Sequence, residues 1–179
     1  MKHLRIVALM TALLTAPLSL FATGAGGFMW GGQFYTGELA NYDLKTDTTG
    51  VFGYSVTPGG QRIGGFALAM NSIGANPGLQ GGFVGAITGQ ETAGGPLVGA
   101  VTLFTGLGGL APDAKLHASG SVALFGELDL EIAFHFMPGA ALTGYAGMQV
   151  ISDLGPGRTP FENILYTPVL GMRFAWGSF

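Results

Sequence analysis

Residues 127–136, which read ELDLEIAFHF, contain three carboxylates and one imidazole, all at odd-numbered positions. They belong to Glu127, Asp129, Glu131 and His135. Carboxylate oxygens are ligands that Ca²⁺ prefers, and an imidazole near a carboxylate can move a proton. On an extended strand, however, Glu131 and His135 stand about 13 Å apart, which is too far to share one ion. A metal site would need ligands from other strands, so we predict no metal, no cofactor and no catalytic residue within this stretch.

Large apolar side chains fill the positions between the polar ones: Leu128, Leu130, Ile132, Phe134 and Phe136. Because successive side chains of a strand point to opposite faces, this alternation predicts a β-strand with one polar and one apolar face. In a soluble sheet, the apolar face covers a core and the polar face meets water. In a transmembrane barrel, the apolar face meets lipid and the polar face lines the interior. The rest of the chain must decide between the two.

The composition is unusual for a water-soluble domain. Only 9% of the 179 residues are charged, against about 25% in typical soluble domains. The chain contains 33 glycines and no cysteine, which excludes disulfides and thiolate metal sites. The length fits one domain.

The N-terminus has the three parts of a secretory signal peptide. Lys2 and Arg5 supply a basic start, IVALMTALLTAPLSLF is the apolar stretch, and ATGAGG supplies small residues for cleavage. We therefore predict a cleaved signal over residues 1–25 and a barrel domain over 26–179, with a retained anchor as the alternative. Without Lys2 and Arg5 the chain keeps five basic residues against ten acidic ones. This balance argues against nucleic acid as a partner.

The remaining apolar segments are too interrupted for a helical membrane span. The longest, residues 94–111, reads GGPLVGAVTLFTGLGGLA and contains six glycines. A spanning helix needs about 20 predominantly apolar residues, so only an unusual glycine-rich helix could form here.

Strand-like stretches instead alternate with turn-rich ones along the chain. The predicted strands are 27–38, 50–57, 61–71, 80–90, 96–106, 115–137, 140–152 and 164–178, and the sixth is long enough to be two. The connections alternate between long polar segments such as ANYDLKTDTTG and short turns such as TPGG and PG. This alternation is typical of an up-and-down barrel with long loops at one end and short turns at the other. The fold class that we predict is an all-β, antiparallel, eight-stranded transmembrane barrel.

Within such a barrel the acidic stripe must face inward, because a charge that faces lipid costs several kcal/mol. Like charges there require cations, and Arg173 has the right parity on the last strand, with Arg62 as a second candidate. We predict an interior polar cluster of Glu127, Asp129, Glu131, His135 and Arg173. Such a cluster would fill a narrow barrel as a salt-bridge plug. The strands GGFVGAITG and VGAVTLFTG carry small or apolar residues on both faces, which fits either a crowded barrel interior or burial on both sides in a soluble fold.

Two tryptophans near opposite ends of the chain, Trp30 and Trp176, are candidates for the aromatic girdle at the membrane interface. The alternative is that they are ordinary half-buried aromatics.

The last residues, MRFAWGSF, resemble the C-terminal strand of bacterial outer-membrane barrels, which typically ends in an aromatic residue. Phe179 matches that terminal position, and Leu170, Met172, Phe174 and Trp176 match the alternation. The resemblance implies recognition by the barrel-insertion machinery and an outer-membrane location. Phe179 departs from the usual phase, and a bulge at Gly177 and Ser178 would restore it.

A second, smaller resemblance concerns His117, Ser119 and Glu131, whose order and spacing are similar to those of outer-membrane lipid A deacylases. In that family an imidazole activates the serine and a carboxylate orients the imidazole. The segment that follows, GSVALFGE, departs from the polar stretch of the family.

The function that we expect is that of an outer-membrane barrel with a side-chain-filled interior, embedded in outer-membrane lipid. It would act as a structural or surface-exposed protein, or in the passage of small apolar molecules, and would not be an enzyme. The first alternative is a soluble secreted or periplasmic β-sheet binding protein. The second is a hydrolase like the lipid A deacylases.

Overall fold

Eight antiparallel strands form one closed sheet. The computed structural model describes residues 24–34, 45–72, 80–92, 94–111, 120–155 and 164–178. The strands are β1 (Gly24–Phe34), β2 (Lys45–Val56), β3 (Gln61–Ser72), β4 (Gly81–Glu91), β5 (Leu97–Leu110), β6 (Ser121–Met137), β7 (Ala140–Asp153) and β8 (Ile164–Ser178).

Each strand pairs with its neighbours in sequence, and β1 pairs with β8 to close the barrel. The closing register runs from Gly24 opposite Ser178 to Gln33 opposite Val169. Regular pairing continues through Gly177 and Ser178, so no bulge lies there in the β1–β8 ladder, contrary to our expectation. The predicted all-β, eight-stranded, up-and-down antiparallel barrel is confirmed as a fold.

The predicted strands correspond one to one with the observed strands, and the sixth is a single strand. The largest differences lie at the starts of three strands, because β6 begins at residue 121 instead of 115, β2 at 45 instead of 50, and β1 at 24 instead of 27. The added part of β2 reads KTDTT, a polar sequence that is typical of a loop. In the structure its backbone pairs with both β1 and β3, so it belongs to the strand. Pairing partners, which the local pattern does not reveal, decided these boundaries.

Long and short connections lie at opposite ends of the barrel. The short ones span residues 57–60, 92–96 and 138–139, and the long ones span 35–44, 73–80, 111–120 and 154–163. Gly60 and Gly139 adopt φ values of +80° and +81°, which residues with a Cβ rarely adopt, so these glycines set the turns after β2 and β6. The Gly177 N–H donates to the Gly139 carbonyl at 3.0 Å and fastens the β6–β7 turn to β8.

The apolar core occupies part of the barrel interior and is centred on four inward phenylalanines. This phenylalanine cluster consists of Phe66, Phe83, Phe104 and Phe125. Each ring is at most 4% exposed, and neighbouring centroids lie 5.0–5.5 Å apart, as aromatic pairs prefer.

Glycines on β5 make room for these rings. A Cβ at Gly106 would come within 3.0 Å of the Phe66 ring, and one at Gly108 would meet the Phe83 ring. On the outer face of β4, Val84, Ala86 and Thr88 are exposed. The small residues on both faces of β4 and β5 therefore reflect a crowded barrel interior rather than burial on both sides.

Candidate functional site

Strand β6 has the two-faced character that its sequence predicts. Glu127, Asp129 and Glu131 are 4%, 0% and 5% exposed and point into the barrel. Leu130 and Ile132, which alternate with them, are 66% and 67% exposed on the outside. The charges are therefore buried inside the barrel, while the apolar side chains form its outer surface.

Glu131 lies at the centre of the interior charges because it binds two arginines from opposite parts of the barrel. Arg62 on β3 donates from Nη1 to Glu131 Oε2 at 2.6 Å, and Arg173 on β8 donates from Nη1 to Glu131 Oε1 at 2.5 Å. Arg173 Nη2 also pairs with Asp129 Oδ2. Both guanidinium groups are 3% exposed, so these ion pairs are shielded from solvent.

The hydrogen bonds continue in both directions from this centre. Toward the short connections, Arg62 Nε binds Glu91 Oε2 at 2.7 Å, and its Nη1 binds Thr102 Oγ1 at 3.2 Å. In the other direction, Arg173 Nη2 lies 3.7 Å from Glu127 Oε1.

From Glu127 the chain of contacts is carried by neutral side chains. Gln149 Nε2 donates to Glu127 Oε2 at 2.8 Å, and Gln33 Nε2 donates to Gln149 Oε1 at 2.6 Å and to Thr48 Oγ1 at 3.1 Å. We refer to the whole set as the polar file: Glu91, Arg62, Thr102, Glu131, Arg173, Asp129, Glu127, Gln149, Gln33 and Thr48.

Aromatic rings and a glycine hold the charged part of the polar file in place. The Arg173 guanidinium carbon lies 3.9 Å from the Tyr145 ring centroid and 4.6 Å from that of Phe104. Such contacts stabilise a cation that has been removed from water. A Cβ at Gly147 would collide with Asp129 Oδ1, so the absence of a side chain there lets the carboxylate lie against β7.

The polar file carries more negative than positive formal charge. Four carboxylates, those of Glu91, Glu127, Asp129 and Glu131, face the two guanidinium groups of Arg62 and Arg173. Among the described residues, Asp129 Oδ1 and Arg173 Nε are buried without a hydrogen-bond partner. The network thus keeps one unused acceptor and one unused donor and is not fully satisfied.

The predicted site residues are distributed as follows. Glu127, Asp129, Glu131 and Arg173 lie together in the polar file. His135 has the same strand parity but lies near the β6–β7 turn, opposite Ala141, and is partly exposed. His117, Ser119 and Phe179 lie outside the described residues, as do residues 1–23 of the predicted signal.

Several members of the polar file were not among the predicted site residues. They are Glu91, Thr102, Gln33, Gln149 and Thr48. Strand parity already places Gln33 and Gln149 opposite the large apolar residues of their strands. Their convergence on Glu127 depends on the closure of the barrel, which brings β1 and β7 to either side of β8.

An aromatic group covers the outer surface near the ends of β8 and β6. Phe28, Phe136, Phe174 and Trp176 are all more than 40% exposed, and their rings form a chain with centroid separations of 5.5–6.2 Å. Trp176 belongs to this group. Trp30 is also exposed, but its opposite residue on β8 is Met172, four residues before Trp176, so it lies about 13 Å farther along the wall.

Large apolar side chains are unevenly distributed over the rest of the outer surface. They are frequent on β5, β6 and β8, whereas the exposed large apolar residues of β2–β4, as far as these strands are described, are Ile63 and Val84. The outer positions of β2–β4 are otherwise mostly small or polar, as with Thr49, Ala67 and Thr88.

The described residues contain no cluster of three or more His, Asp or Glu side chains arranged to hold a metal ion. Within the same residues, no helix is long and apolar enough to span a membrane. Comparison with known proteins finds no matching family model, no significantly similar curated protein and no significantly similar solved structure.

Proposed function

We propose that this protein is a bacterial outer-membrane β-barrel, exported through a signal peptide within residues 1–25. It would act as a structural, surface-exposed membrane protein. The four long connections at one end of the barrel would then face the outside of the cell. The observation that carries the proposal is the inversion of polarity, with buried charges inside and exposed leucine, isoleucine and phenylalanine outside. A water-soluble fold normally has the opposite arrangement.

The dimensions support this location. The outward apolar residues of β6 run from Val122 to Phe136, about 46 Å along the strand. At a strand tilt of about 40° this corresponds to a height of roughly 35 Å, more than the apolar band of about 25 Å that such barrels need. The exposed aromatic group around Trp176 fits one interfacial girdle.

The interior argues against the passage of small apolar molecules and against the hydrolase alternative. The phenylalanine cluster fills the apolar part of the barrel, which disfavours the passage of apolar molecules. Both carboxylate oxygens of Glu131 bind arginines, so this residue is not available to orient a histidine in a hydrolase.

β1 includes Gly24 and Ala25, so cleavage before Gly24 would leave the whole strand in the mature protein.

The proposal is tested by expressing the full chain in a Gram-negative host and separating the membranes. We expect the protein in the outer-membrane fraction, with faster migration of the unheated sample on a detergent gel, as a folded barrel shows. Recovery in the soluble periplasmic fraction would favour the soluble β-sheet binding protein and contradict our proposal. The lipid A deacylase alternative predicts altered acyl content after incubation with lipid A, and we expect none.

A further inference from the structure

A groove crosses the outer wall of the barrel over β5, β6 and β7. Its volume is about 750 Å³, and its apolar lining comes from outward positions of these strands: Gly99, Val101, Leu130, Ile132, Gly144 and Ala146. A concave, mostly apolar site of this size with a few polar groups is typical of a ligand pocket. We refer to this site as the wall groove.

Two glycines create the wall groove. Ile132 on β6 lies opposite Gly99 on β5 and opposite Gly144 on β7. Because neither neighbour has a side chain, Ile132 exposes a larger fraction of its surface than the other large apolar residues of the described strands. A Cβ at Gly144 would meet no atom within 4 Å, so the space over this position is open to whatever surrounds the barrel.

The wall groove runs from the short-connection end of the barrel toward the middle of the wall. Thr92 follows β4 directly and pairs with Gly99 near the start of β5, whereas Gly144 lies farther inside β7. Because the strands of such barrels are tilted by about 40°, a row that crosses them also changes its depth in the bilayer. An occupant would therefore have one end at the membrane interface and the other among the apolar side chains.

Polar side chains stand at the interfacial end of the wall groove, on Gln90 and Thr92. Gln90 Nε2 donates to the Gly59 carbonyl at 2.7 Å and to the Glu91 carbonyl at 3.3 Å, which leaves the amide oxygen of Gln90 as an acceptor. The Thr92 hydroxyl accepts a hydrogen bond from the Gly99 N–H at 3.1 Å and can still donate its own proton. This end can thus accept a hydrogen bond from an ammonium group and donate one to a phosphate.

The charges at the same end disfavour an anionic head group. Among the described residues, Arg62 and Arg173 point into the barrel and Lys45 begins β2 at the opposite end, so no lysine or arginine faces outward beside the groove. The Glu91 carboxylate, which pairs with Arg62, is 20% exposed near this end. A head group with a net negative charge would meet no cation here, whereas a zwitterionic one with a primary ammonium meets acceptor oxygens.

We propose that the wall groove binds one phospholipid whose head group carries a primary ammonium, as in phosphatidylethanolamine. One acyl chain lies over Gly144 beside Ile132, and the head group contacts Gln90 and Thr92. The acyl chain supplies the contacts that an empty depression would deny to the apolar side chains around it. This proposal rests on the membrane location proposed above.

The test is native mass spectrometry of the protein, expressed as the full chain, purified from outer membranes in detergent and incubated with phospholipids of identical acyl chains. We expect one molecule of phosphatidylethanolamine to remain bound, about tenfold more tightly than phosphatidylglycerol, as one hydrogen bond from a charged donor allows. Equal retention of the two lipids, or a preference for phosphatidylglycerol, would overturn the proposal.

Gly144→Leu tests the acyl-chain part of the site. The new side chain fills the groove without a clash, so we expect retention of phosphatidylethanolamine to fall about tenfold or more. Gly126→Leu is the matched control, because Gly126 is also an outward glycine with open space over it but lies outside the groove. An equal loss of lipid with both variants would overturn the proposal.

Gln90→Arg tests the head-group part of the site separately. The added guanidinium would bind phosphate and repel the ammonium, so we expect the preference to shift toward phosphatidylglycerol. An unchanged preference in this variant, with the protein folded by gel migration, would overturn the proposal.

The same measurement distinguishes other occupants and the location itself. A mass of two chains that Gly144→Leu abolishes would assign the groove to a second copy of the protein and overturn the proposal. Absence of retained lipid from protein that migrates as a folded barrel would also overturn it and leave the membrane location intact. Recovery of the protein in the soluble periplasmic fraction would instead contradict the location, and this proposal with it.

Discussion

The polar file and the phenylalanine cluster fill the same barrel by opposite means. Their boundary passes between consecutive inward residues of β6, since Phe125 belongs to the cluster and Glu127 to the file. They meet again where Arg173 lies over the ring of Phe104. One strand can therefore contribute to both regions, and the position of a side chain inside the barrel decides to which region it belongs.

The difference shows two ways of filling a narrow lumen. In the cluster, rings fit over glycines such as Gly106 and Gly108, so shape decides which side chain is tolerated. In the file, opposite charges and hydrogen bonds decide, and a change of charge matters more than a change of volume.

The largest effect should come from Glu131→Leu. This change leaves Arg62 and Arg173 buried without their shared carboxylate, so we expect a loss of about 5 kcal/mol in the free energy of unfolding, or failure to fold. Urea unfolding of the protein refolded in lipid vesicles, followed by gel migration, measures it. Glu131→Gln keeps the shape and some hydrogen bonding and should lose less. A loss below about 1 kcal/mol with Leu would show that the file does not depend on charge pairing.

The corresponding change in the cluster is Phe83→Ala. Loss of a ring that is 2% exposed leaves a cavity, and we expect a cost of about 4 kcal/mol in the same unfolding measurement. Phe83→Leu, which keeps much of the volume, should cost about 1 kcal/mol. If the two substitutions cost the same, packing volume would not explain the cluster.

A third substitution extends the comparison to the outer face of β6. Leu130→Arg places a charge where the side chain is 66% exposed, and in a bilayer we expect a cost of about 3 kcal/mol. In a protein surrounded by water, the same exposed substitution would stay within about 0.5 kcal/mol. Gln90→Arg, at an exposed position beside a short connection, is the control and should have little effect in either case.

The smallest effect should come from the neutral end of the file. Gln33→Leu removes the hydrogen bonds to Thr48 and Gln149, and we expect a loss of about 1–2 kcal/mol. Thr48→Val removes one of these bonds alone and should cost less. A loss with Gln33→Leu as large as that with Glu131→Leu would place the main stabilisation of the file in its neutral part.

The strands that alternate most clearly were the most predictable. β6 and β8 were predicted with their correct C-terminal bounds, because large apolar residues occupy every second position in their C-terminal halves. The start of β2 was missed because Thr46, Thr48 and Thr49 resemble loop residues when read along the chain. In the site, Glu127, Asp129 and Glu131 were found from their spacing, whereas Glu91 was not, since it lies at the end of a strand rich in glycine.

The sequence by itself determined a barrel of eight strands with alternating long and short connections and an acidic stripe facing inward. These features depend on local periodicity and on turn residues such as Pro138 and Gly139, which act over a few positions. Only the tertiary structure decided that Glu131 binds both arginines. It also decided that Gln33 and Gln149 continue the hydrogen-bond network from Glu127 toward the other end of the barrel. Closure brings residues 116 positions apart within 2.6 Å, and no local pattern encodes such a distance.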